Sequence, residues 1–339
     1  MTASHGVAAT LPAIDWELAI GAGSRLIPAG PQVTAAEAAE AVAELRDCAG
    51  RAQPLVAEAA QLTAPPDSAP VLVIDRRSWL RANVESIRGV LGTPQGEPVG
   101  RGGRAAALEL GGVLAWLGTK VLGQYDPFHT PNGRLLLVAP NVLHAERQLG
   151  ADPHDFRLWV CLHEETHRAQ FTAHGWLREH LRGEIDGLLA GLDLTNPAFG
   201  ELLQRLRTDV AGASLLDLIG QDATETRARI ERVTALMSLL EGHADVVMDR
   251  VGPEVIGSVS QIRQRFERRR TGRGLDKVVR RLLGLDLKLA QYRDGARFCR
   301  AVVDRVGFTG FNQALASPVA LPTLPEIHDP DAWLRRMGA

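Results

Sequence analysis

The chain has 339 residues, 45% of them hydrophobic and 23% charged, and its 38 basic and 40 acidic side chains leave a formal net charge of -2. That is an ordinary globular composition, which excludes a global electrostatic case for binding nucleic acid or an anionic membrane. Cys48, Cys161 and Cys299 form no C-x-x-C pair, which argues against both a disulfide framework and a thiolate zinc site and points to a reducing compartment.

The opening stretch MTASHGVAATLPAIDW has no basic segment ahead of an apolar one. No apolar run approaches the ~18 residues of a membrane span, so a cytoplasmic location with no membrane partner is expected. From Thr34 to Leu62 the chain is rich in helix formers, and Thr34 with Glu37 makes a capping pair, so one or two helices are expected. VLVIDRRSWLRANVESIRGVL, from Val71, reads as a short apolar strand or turn entering a helix. Residues 89–112 hold eight glycines and read as a flexible connector between a helical N-terminal region, 1–92, and a core, 103–339. No Walker-type Lys-Ser/Thr follows them, so the glycines do not suggest a phosphate loop.

GRLLLVAPN, residues 133–141, is the best strand candidate, and almost everything after it reads helical. The expected class is therefore α+β, predominantly α-helical. A helix from Phe156 to Phe171 sets Phe156, Trp159, Val160, His163, His167 and Phe171 along one side. A second, from Glu225 to Asp249, carries Ile230, Val233, Met237, Leu240, Ala244 and Val247 as its stripe, with Glu241 and Asp245 beside it. The run from Arg263 to Arg281 has nine basic and two acidic residues. Lysine occurs only three times in the chain, so arginine stands in for it throughout. The run therefore reads as a solvated helix rather than a nucleic-acid surface.

His163-Glu164-x-x-His167 carries the chemistry. Imidazoles four apart on a helix project from one face and can share one Zn2+, while Glu164, about 100° around the axis, can reach a water beside it as general base. A catalytic zinc needs a third ligand and an open position. The candidates are His174, Glu241 and His243. Metzincin spacing would need Gly at 170 and His at 173, but the chain has Gln170 and Ala173. Glu241 and Asp245 lie one turn apart, so Glu241 can bind the ion while Asp245 accepts the free N–H of a ligand histidine, whereas His243 points to nearly the opposite side. Tyr292 is a candidate donor to the oxyanion of a tetrahedral intermediate.

DWELA, LVIDRRSWLRANV, LLLVAPN, FRLWVCLHEETHRAQF, LLEGHADVVMD, LLGLDLKLAQYRDGARF and LPTLPEIHDPDAW together resemble a family of zincin-like metallopeptidase-related proteins. Its actinobacterial branch is labelled as associated with biosynthesis of the deazaflavin coenzyme, a label that reflects genomic context more than chemistry. The resemblance implies a mainly helical zincin-like fold with a short sheet. It also implies zinc on His163, His167 and Glu241, and hydrolysis of a peptide or protein substrate with Glu164 as base. Zincins commonly set an edge strand above the site, against which a peptide adds as a further strand. GRLLLVAPN is placed to be that strand or a plain core strand. The alternative function is a catalytically silent zincin-fold scaffold or interaction protein with a structural metal. Cleavage specificity and oligomeric state have no signature in the chain.

Overall fold

The computed structural model describes residues 13–62, 65, 69–92, 99–129, 132–191, 224–271 and 285–338, with side chains for all of these except 191, 266–271 and 285–293. A three-stranded sheet lies between helical layers. Its strands are β1 (Val71–Ile74), β2 (Gly123–Asp126) and β3 (Arg134–Val138), in the order β1-β3-β2. β3 pairs parallel with β1, Leu135 opposite Val71, and antiparallel with β2, Leu135 opposite Tyr125.

β3 is buried along its whole length because helices cover both faces of the sheet. Leu135 and Leu137 enter the larger core, while Leu136 and Val138 enter the smaller one, as the twofold period of a strand requires. The smaller core lies under α1 (Trp16–Leu26), α3 (Arg76–Leu91) and α4 (Arg101–Leu117). The larger is built from α2 (Ala35–Ala60), α5 (Ala139–Leu149), α6 (Pro153–Ala173), α7 (Trp176–Gly191), α8 (Thr224–Val255) and α10 (Leu285–Phe311). α9 (Val259–Thr271) packs on α5 and α6, and the short α11 (Leu324–His328) and α12 (Pro330–Met337) close the C-terminal end.

Two local expectations change. Residues 101–117 form a helix rather than a connector, and two of its glycines, Gly103 and Gly111, serve close packing. A Cβ on Gly111 would fall 2.6 Å from the Ala19 carbonyl oxygen, and one on Gly23 2.8 Å from that of Gly111, so α1 and α4 cross almost backbone to backbone. GRLLLVAPN supplies the central strand and then turns helical at Ala139, and the edge strand beside the motif helix is β2. The unbroken apolar run of β3 marks a strand buried on both faces.

Thr34 and Glu37 make the expected reciprocal cap on α2, which runs unbroken through Pro54. Two buried arginines are paired with carboxylates. Arg157 on α6 makes a two-pronged contact with Glu146 on α5 and also meets Glu44 on α2. Arg134 joins Asp126, Glu85 and the Ala82 carbonyl. All three cysteines are buried free thiols. Among the described residues no helix is long and apolar enough to cross a membrane.

Candidate metal centre

α6 starts where the Asp152 carboxylate accepts from the Asp155 N–H, with Pro153 in the first turn, where its missing N–H has no partner to lose. Further along, His163 and His167 leave one face of the helix a turn apart. Their rings meet edge to face with centroids 4.7 Å apart and Nε2 atoms 3.2 Å apart. Glu241 reaches in from α8, its Oε2 3.5 Å from His163 Nε2 and 3.7 Å from His167 Nε2. The three ligand atoms lie within 4.8 Å of one another.

Ligands held about 2.0–2.1 Å from a tetrahedral zinc stand roughly 3.3 Å apart. The near-equilateral triangle fits such an ion, and two imidazoles with one carboxylate are a donor set that leaves a fourth position open. Electrostatics agree. Burial alone would lower the His167 pKa, but the neighbouring Glu241 carboxylate outweighs it, with Glu164 and Gln170 adding, and the ring stands at about 9. The cluster therefore favours positive charge at its centre.

Glu164 is buried against β2. Burial raises its pKa to about 7, Glu241 adds to the rise, and His167 and the Tyr125 N–H hold it back. A carboxyl poised there can take and return a proton near neutral pH. β2 passes so close that a Cβ on Gly123 would fall 2.8 Å from Glu164 Cδ.

His243 is not among the clustered ligand atoms. It is fully buried, stacks on Phe311 with centroids 4.9 Å apart, and burial lowers its pKa to about 3, with His167 and His174 adding. His174 caps the C-terminus of α6, and its buried Nε2 has no hydrogen-bond partner among the described residues. Asp245 stands one turn beyond Glu241, half-buried, and its carbonyl accepts from Arg263. Tyr292 belongs to α10, and its side chain lies outside the described residues, as does most of the arginine run. Arg263 pairs with Asp249, and Arg265 donates to the Leu149 and Gly150 carbonyls.

The residue that the sequence did not single out is Gln170, whose amide contacts His167, His243 and the Leu240 carbonyl. The available signal was a polar side chain three residues after a ligand on the inward face.

A comparison with curated proteins finds no match. The chain is similar to a crystal structure from Chloroflexus aurantiacus described as a candidate hydrolase with a novel fold. Identity is 33% and the TM-score 0.69, over 96% of this chain and 99% of that chain. The family model for zincin-like metallopeptidases matches residues 14–334. The chain belongs to the zincin-like metallopeptidase family, a membership that implies a metal at a site such as that of His163, His167 and Glu241.

Proposed function

We infer that this protein is a zinc-dependent hydrolase that cleaves a peptide or amide bond. The observation that carries this is the ligand triangle of His163, His167 and Glu241, with Glu164 buried beside it against an edge strand. When bound, zinc supplies Lewis acidity that acidifies water and polarises a carbonyl. Glu164 takes the proton from the attacking water at its carboxylate and passes it to the leaving amine. The outer edge of β2 offers backbone groups to an extended substrate. Asp245 is assigned to orient His163, since Gln170 already serves His167. Tyr292 is assigned as donor to the oxyanion.

The test is metal analysis of purified protein together with activity on a peptide mixture. One zinc per chain is expected, lost in His163→Ala. Glu164→Gln should keep the zinc and lose roughly 10²–10⁴-fold in hydrolysis. Substoichiometric zinc that His163→Ala leaves unchanged would sink the proposal. Zinc retained with no hydrolysis by the parent protein would favour a silent scaffold.

A further inference from the structure

One fully buried amide joins the two helices that carry the ligands. Gln170 sits on α6 three residues after His167, and its Oε1 is 2.9 Å from His167 Nδ1. Its Nε2 is 2.9 Å from the Leu240 carbonyl oxygen and 2.9 Å from His243 Nδ1.

A carbonyl oxygen only accepts, so the amide must turn its NH2 towards Leu240 and its oxygen towards His167. His167 then carries a proton on Nδ1, and its neutral form presents a bare Nε2 to His163 and Glu241. The second amide proton points at His243 Nδ1, which receives it when that ring is protonated on Nε2 alone. The stack on Phe311 fixes the plane of this acceptor. Leu240 directly precedes Glu241, so the same amide also sets where the third ligand stands relative to the first two.

We propose that Gln170 is a positioning residue of the metal centre. It holds His167 in the tautomer that offers Nε2 to the metal and ties α6 to α8 beside Glu241, and His243 locks the amide in that orientation. The proposal rests on the triad being a metal site. It gives His243 a role in the centre without making it a ligand.

Zinc affinity measured by competition with a chromogenic chelator tests it, with the thermal midpoint of the metal-free protein recorded for each variant. Gln170→Met fills the same space without the polar atoms, and is expected to bind zinc roughly 10- to 100-fold more weakly. Gln170→Glu keeps an oxygen that accepts from His167 Nδ1 and, protonated in this fully buried place, an O–H that donates to the Leu240 carbonyl, and is expected within about 5-fold of the parent even where the midpoint falls as far. A merely structural role would move both variants alike, and that result overturns the proposal. His243→Leu leaves Gln170 in place but unlocked, with an expected loss of about 3- to 10-fold. This variant decides the matter if Gln170→Met does not fold, because parental affinity in it would remove the lock. If the parent binds one zinc and Gln170→Met binds it as tightly, the inference alone falls. If the parent binds none and matches His163→Ala, the metal assignment falls and the inference with it.

Discussion

Gly123 shows how little slack surrounds the reacting groups. Its missing side chain is space that Glu164 occupies, so Gly123→Ala must tilt the carboxyl or push β2 outward. Misplacing a reacting group by about 1 Å can cost around 10²-fold. On the proposed function, Gly123→Ala is therefore expected to lose roughly 10- to 100-fold in peptide hydrolysis while still binding zinc, because the proposed ligands come from α6 and α8 and not from the strand. Unchanged turnover would mean that the strand can yield. At this scale the H-E-x-x-H pattern was legible in the sequence, since His163, Glu164 and His167 need only one helix to come together. Gln170 was not, because its role depends on a carbonyl and a ring supplied by another helix.

Among elements, α8 crosses α10 one residue away from Glu241. Gly242, next to the proposed ligand Glu241, faces Gly295, and a Cβ on Gly295 would run into the backbone of Ser238. Gly295→Ala is expected to destabilise the fold by roughly 2–4 kcal/mol in urea unfolding, because backbone has nowhere to relax. Gly112→Ala in α4 is the contrasting case. It has open space around its Cβ position, and there the gain in helix propensity is expected to stabilise by about 0.5–1 kcal/mol. The part of the glycine-rich stretch from Arg101 on was misread as a connector. Counting glycines cannot separate a chain that bends from one that must lie close to a neighbour, and only the partner helix α1 makes that distinction.

At the scale of the molecule, fold class was legible because helical periodicity runs through most of the chain. The strand arrangement was not. β1 comes from before the glycine-rich stretch and pairs with β3 beyond it, a non-local pairing that local patterns do not specify. β3 nevertheless carried the signature of its place, the apolar run Leu135–Val138 that suits a strand covered on both faces. The three buried cysteines follow a similar logic, since they lie in α2, α6 and α10, helices of the larger core. Burial raises the Cys48 thiol to about 11 and pushes Cys161 and Cys299 well up. The folded chain should thus be silent to a colourimetric thiol reagent at neutral pH, and denatured chain should react three times. Colour development in dilute denaturant then becomes a clock for opening of the interior. If all three sites react with one rate constant, the helices around the candidate metal site open as a single cooperative unit, and if Cys48 leads, α2 peels away first.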